Sequence, residues 1–190
     1  MKKQENPFLS IVVPCYNEEN VIDIFLDKMF EVLQPINKSY EIVFVNDGSQ
    51  DNTLQVLQAK SKKHESVRVI NLSRNFGKEA AMSAGIDMAL GEVVVPIDVD
   101  LQDPPELIAE FIQEYEQGFD VVVGKRVDRT TDTFLKRTSA ETFYKLHNKI
   151  SDIEIPHNVG DYRLMSRRVV DELKKLPETQ RFMKGIFAWI

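Results

Sequence analysis

The 190-residue sequence has one cysteine, Cys15, one tryptophan and three histidines. A lone cysteine excludes a disulfide framework and a cysteine-based zinc site, and it fits a reducing compartment. His64, His147 and His157 show neither metal-ligand spacing nor a surrounding motif, so they read as structural or exposed. No apolar run approaches the ~20 residues of a membrane-spanning helix. The N-terminal MKKQENPFLSIVVPCYNEE lacks the apolar core expected of a secretory leader. No G-x-G-x-x-G follows the first predicted strand, which disfavours a dinucleotide-binding redox protein. Internal repeats, low-complexity segments and linkers are also missing.

What remains suits one domain with a sizeable core. The net charge of −6 is unevenly spread. Residues 1–124 carry 10 basic and 21 acidic side chains, a net −11, and residues 125–190 carry 14 and 9, a net +5. An acidic first part suits cation binding, and a basic second part suits phosphates or an anionic membrane surface. Uneven solvated charge alone gives the same split.

Apolar runs alternate with helical patterns through the first 124 residues. FLSIVVP, YEIVFVN, VRVINL, EVVVPID and FDVVVG read as strands. Helices are predicted from Glu18, over DNTLQVLQAKSKKH with Asp51 as a cap, over GKEAAMSAGIDMAL and over PPELIAEFIQEYEQG. That alternation predicts an α/β fold with a mostly parallel sheet. After Gly124 it fades; GDYRLMS reads as a short strand and RRVVDELKKL as a helix.

In open α/β sheets, ligands bind beyond the carboxyl ends of the strands. All five predicted strand ends carry charge within a few residues: VPCYNEE, VNDGSQD, LSRNFGKE, PIDVDLQD and VGKR. A sheet end needs no such load for stability, so the pattern points to a polar ligand. Asp98 and Asp100, two apart in an extended segment, are expected on one side, joined by the Gln102 amide. Such oxygen donors suit Mg²⁺ or Mn²⁺, and two or three of them imply that a phosphorylated substrate completes the shell. Taken alone, the same residues fit a solvated acidic turn with Asp103 capping the next helix. Asp47 and Glu18 likewise fit helix-terminal roles on their own. Lys78 opens a helix, within reach of a phosphate or solvent. Asp161 with Arg163 fits an ion pair, and Cys15 a small buried filler.

The segments IVVPCYNEE, VNDGSQDNT, NFGKEAAMSAG, DVDLQDPPE, VVGKR, GDYRLMSR and RFMKGIFAWI resemble, in order, those of family 2 glycosyltransferases. The likeness is to the polyprenyl-phosphate subgroup, which includes dolichol-phosphate mannose synthase and the bactoprenol glucosyltransferases. It implies a GT-A fold, Rossmann-like, and inverting transfer of a hexose from a nucleotide sugar to polyprenyl phosphate. UDP-sugar is favoured over GDP-sugar as donor. By the resemblance, Pro14, Tyr16, Glu18, Val45, Asp47, Lys78 and Asp98 form the nucleotide site, and Asp98, Asp100 and Gln102 hold Mg²⁺ or Mn²⁺. Arg126, Arg163 and Arg181 meet the phosphates, and Asp161 is the catalytic residue. A phosphate acceptor is mostly dianionic near neutral pH, its second pKa being ~6, so Asp161 is expected to orient groups more than to abstract a proton.

The resemblance further implies that residues 1–190 are one catalytic domain cut before C-terminal membrane helices, working at the cytoplasmic face of a membrane. The tail RFMKGIFAWI sets aromatics beside Arg181 and Lys184, as in an interfacial segment. No nucleic-acid partner is expected, and a homo-oligomer is compatible with the sequence. Two other readings stand beside this one: a hydroxyl acceptor in polysaccharide synthesis, and a non-catalytic sugar-nucleotide-binding scaffold.

Overall fold

The computed structural model describes residues 6–125 and 159–175. Their elements are β1 (Leu9–Cys15), α1 (Ile22–Leu33), a 3₁₀ turn (Gln34–Ile36), β2 (Tyr40–Asn46), α2 (Thr53–Lys63), β3 (Val67–Asn71), α3 (Lys78–Met88), β4 (Val93–Pro96), α4 (Leu107–Glu116), β5 (Val121–Lys125), β6 (Val159–Ser166) and α5 (Arg167–Lys175). The six strands form one sheet in the order β3-β2-β1-β4-β6-β5. β3, β2, β1 and β4 run parallel, and β6 lies antiparallel between β4 and β5.

The strands are apolar on both faces because helices cover both faces. Ile11, Val13, Phe44, Val93 and Val95 share one core with α1, through Ile22, Phe25, Leu26 and Met29, and with α4, through Ile108 and Phe111. The alternate residues Val12 and Val94 share another with Met82 and Ile86 of α3 and Val169, Val170 and Leu173 of α5. α3 comes especially close to the sheet because Gly85 faces it. A Cβ there would lie 2.3 Å from Val12 Cγ1 and 2.9 Å from Val45 Cγ2.

Element boundaries depart from the sequence pattern at three functional places. α1 begins at Ile22, so Glu18 and Glu19 belong to the preceding loop and do not open the helix. β4 ends at Pro96, before the acidic cluster. α4 starts at Leu107, behind Pro104 and Pro105, with no side-chain cap, so Asp103 does not cap it. Asp51 acts on α2 from just ahead of it: its Oδ1 accepts the Thr53 N–H at 3.0 Å.

Candidate functional site

The sheet reverses its winding between β1 and β4, the place where α/β folds open a crevice. A cavity of about 330 Å³ lies there, lined by Pro14, Cys15 and Tyr16 from the end of β1, Asp47 beyond β2, and Asp98, Val99 and Asp100 beyond β4, with Glu18, Asn75, Gly77, Lys78 and Ala81.

Two laced loops build one wall. Glu18 N–H donates to Thr53 Oγ1 at 2.8 Å, and Gln50 N–H to Asn17 Oδ1 at 2.8 Å. Asn52 N–H donates to Glu19 Oε2 at 2.8 Å, and Asn17 N–H to Ser49 Oγ at 3.0 Å. The loops after β1 and β2 therefore satisfy each other's backbone donors and set Glu18 at the cavity. Burial raises the Glu18 pKa above the ordinary carboxylate value, and repulsion from Asp100, Asp51 and Asp98 adds to it.

Asp47 is buried and clamps the turn ahead of α3. Its Oδ1 accepts the Phe76 N–H at 2.8 Å and its Oδ2 the Gly77 N–H at 2.9 Å. The next residue, Gly48, has φ +65°, and a Cβ there would meet the Arg74 carbonyl carbon at 2.3 Å. Only glycine fits that contact. Asp47 thus lines the cavity with both oxygens already accepting backbone hydrogen bonds, and it serves α3 instead of the helix next in sequence.

Past Pro96 the chain leaves the sheet. Asp100 Oδ1 accepts the Gln102 N–H at 3.1 Å, and Leu101 between them has φ +57°. A leucine in the left-handed region is strained, by about 1–3 kcal/mol, and such strain gathers at functional sites. Asp98 and Asp100 both line the cavity, from a segment that turns at Val99 and Asp100 past the end of β4 and is not extended strand. Gln102 is exposed and meets Asp100 through its backbone; its amide is not part of the lining.

Lys78, the first residue of α3, reaches across the cavity. Its Nζ lies 2.6 Å from Asp98 Oδ2 and 3.9 Å from Asp161 Oδ2. Burial opposes its charge, but the Asp98 hydrogen bond and the charges of Asp98, Asp161 and Glu79 outweigh it and raise the Lys78 pKa. β6 pairs Val93 with Ser166 and Val94 with Met165. Asp98 and Asp161 thus meet at one ammonium. Among the described residues, Asp161 Oδ1 is buried without a hydrogen-bond partner.

Two residues expected at the site lie elsewhere. Val45 is fully buried because α3 packs over it, with Gly85 against its side chain. Arg163 is 4% exposed and does not line the cavity. Burial lowers its pKa to about 10 against the opposing charge of Asp161, so it supports Asp161 from within the sheet and is not presented to a phosphate. Cys15 is the expected filler: burial, then Glu18 and Asp98, push its thiol pKa far up. Asn75, which the sequence pattern did not single out, also belongs to the site: its Oδ1 accepts the Gly77 N–H at 3.0 Å and it lines the cavity. Arg126, Arg181, His147, His157 and the RFMKGIFAWI tail lie outside the described residues.

Asp98 and Asp100 are hard oxygen donors on one cavity wall, a set that fits a divalent cation sharing its shell with a substrate's phosphates. Among the described residues no three His, Cys, Asp or Glu side chains could hold a metal by themselves.

Relatives and solved structures match most of this chain. A bactoprenol glucosyl transferase of Shigella phage SfX is 52% identical over 184 residues, 96% of this chain and 60% of its own length. The chain spans about three-fifths of the length of the curated relatives it matches. A mannosyltransferase from Pyrobaculum calidifontis, solved with GDP-Man and Mn²⁺, superimposes with a TM-score of 0.64 at 22% identity, covering 97% of this chain and 51% of that one. Glucosyl-3-phosphoglycerate synthase from Mycobacterium tuberculosis, solved with UDP, gives 0.65 at 20% identity, covering 96% and 64%. Both are GT-A glycosyltransferases, and the fold here is GT-A. Residues 10–174 match the family described as Glycosyl transferase family 2, and the chain belongs to that family.

Proposed function

We propose that this chain carries the donor site and reacting groups of an inverting glycosyltransferase that moves a hexose from a nucleoside-diphosphate sugar to polyprenyl phosphate. UDP is the favoured nucleotide, and the site works at the cytoplasmic face of a membrane. The observation that carries the reading is the meeting of Asp98, Asp100, Lys78 and Asp161 at the β1/β4 crevice. The kinship with relatives named bactoprenol glucosyl transferase supports the acceptor class. Among the described residues no helix is long and apolar enough to cross a membrane.

In this reading Pro14 and Tyr16, the latter 40% exposed, form the surface against which the nucleoside packs. Asp98 and Asp100 hold Mg²⁺ or Mn²⁺, which when bound offsets charge on the leaving diphosphate. Lys78 supplies a second positive charge to the same phosphates. An acceptor phosphate oxygen attacks the anomeric carbon while the bond to the diphosphate breaks, inverting the centre. Asp161, 3.9 Å from the Lys78 ammonium, fixes the orientation of donor hydroxyls. The acceptor's own charge makes a strong base unnecessary.

A thermal-shift panel of sugar nucleotides with Mn²⁺, Mg²⁺ or EDTA tests the donor half. UDP-hexoses are expected to stabilise the protein only with a divalent cation; equal shifts in EDTA would remove the metal from the reading. A polyprenyl phosphate and a hydroxyl acceptor, compared with the same donor, test the other half. Transfer to the hydroxyl acceptor alone would replace the lipid assignment. Neither transfer nor slow donor hydrolysis would leave a binding scaffold.

A further inference from the structure

The only cation among the described residues lining the cavity is the Lys78 ammonium, and the carboxylate it touches is the one assigned to the metal. With Nζ 2.6 Å from Asp98 Oδ2, the ammonium already occupies one oxygen of that carboxylate. A divalent cation bound at ~2.1 Å from the same carboxylate would face a like charge a few ångströms away. Two cations so close repel unless further negative charge joins them. The backbone under Lys78 is held: Asp47 accepts the Phe76 and Gly77 N–H groups immediately before it. The side chain is 48% exposed, which leaves its four-carbon stem room to turn. The ammonium can therefore swing while α3 stays in place.

We propose that Lys78 is a resident counterion that competes with the divalent cation for Asp98, and that the donor's diphosphate turns this competition into cooperation by accepting both charges. Without nucleotide, Lys78 neutralises Asp98 and bridges toward Asp161, so metal binds weakly. With nucleotide present, the ammonium transfers to a phosphate oxygen and Asp98 is released to the metal. Metal and nucleotide are then coupled through one side chain, and the coupling is reciprocal. The inference rests on the metal-and-diphosphate reading above and adds an order of loading: neither ligand binds well alone.

Mn²⁺ titration followed by the EPR signal of free Mn²⁺ tests it without turnover. Lys78→Met keeps the stem and removes the charge. In the absence of nucleotide it is expected to bind Mn²⁺ about tenfold more tightly than the parent, the scale of losing one partly exposed charge-assisted contact. In the presence of UDP the enhancement of Mn²⁺ affinity should shrink relative to the parent. Lys78→Arg, which keeps a cation, should stay at or below parental Mn²⁺ affinity, and Lys78→Gln repeats the test should the Met variant misfold. Unchanged or weaker Mn²⁺ binding in the charge-neutral variants overturns the inference. Asp98→Asn separates the two levels. If it abolishes Mn²⁺ binding while Lys78→Met gains nothing, only the counterion role falls. If it leaves Mn²⁺ binding intact, the metal assignment itself falls.

Discussion

Asp47 Oδ2 accepts the backbone N–H of Gly77 at 2.9 Å, tying the end of β2 to the residue just ahead of α3. With the companion bond from Phe76 at 2.8 Å, one buried carboxylate satisfies two donors that have no helical partner. Asp47→Ala removes both acceptors. Hydrogen bonds to a charged group contribute roughly 1.5–3 kcal/mol each, less where water can replace them, so a loss of about 2–3 kcal/mol is expected in urea unfolding. Nucleotide affinity should fall as well, because Asn75 and Gly77 line the cavity. A variant of parental stability that still loses nucleotide would make Asp47 a direct ligand instead of a clamp.

Gly85 tests how closely α3 must lie on the sheet. Alanine in a helix interior is ordinarily favoured over glycine by about 1 kcal/mol. Here its methyl would sit 2.3 Å from Val12 Cγ1, and both valines it meets are fully buried. Overpacking of this kind costs typically 1–3 kcal/mol, so Gly85→Ala is expected to lower the denaturation midpoint. A rise in Tm would mean that α3 can lift from β1 and β2 without penalty.

Glu18 gives a pH dependence whose sign follows from its surroundings. Burial first, then Asp100, Asp51 and Asp98, raise its pKa above the ordinary 4.5. The folded protein then holds a proton that the unfolded chain has already released. Stability falls as pH rises from about the unfolded value through the raised folded value, and the penalty stays in place above it. Glu18→Gln removes that penalty. The difference in unfolding free energy between variant and parent should therefore grow in favour of the variant from pH 4 to pH 7. A flat difference would mean that the repulsion is relieved by solvent.

Much of this architecture is legible in the sequence because both sheet faces are covered, which makes the strands continuous apolar runs between helical periods. The place of β6 is not. GDYRLMS reads as a strand, but nothing local says that it inserts antiparallel between β4 and β5. Residue chemistry picks out Asp98 and Asp100, although the strand geometry invoked for them is replaced by a turn past the end of β4. The pairing of Lys78 with Asp98 joins residues 20 apart through the packing of α3 on the sheet, a tertiary fact with no local signature. Val45 and Arg163 show the converse limit. Each stands two residues from a site residue in the chain, where alternation alone would set them on the same face, and burial within the sheet keeps both out of the cavity.

Asp161 carries the sharpest prediction about chemistry. Its Oδ2 lies 3.9 Å from Lys78 Nζ, and its buried Oδ1 lacks a hydrogen-bond partner among the described residues. An oxygen in that condition is poised to accept a hydrogen bond, and a donor-sugar hydroxyl is the partner the cavity would supply. Asp161→Asn keeps the shape, removes the charge and replaces one acceptor with a donor. UDP affinity should be nearly unchanged, since the nucleoside wall does not include Asp161. Transfer should drop by about 10²-fold or more, the range seen when a positioned acid–base or orienting group is lost. The cause is separable by acceptor. A general base would be missed most with a hydroxyl acceptor and least with a phosphate already dianionic above its ~6 second pKa. An orienting group would be missed equally with both. Equal defects are expected here, at pH 7 and again at pH 8.5, measured as single-turnover rates with saturating donor. Parental rates in the variant would leave Asp161 as a structural partner of Arg163 and Lys78, with no part in transfer.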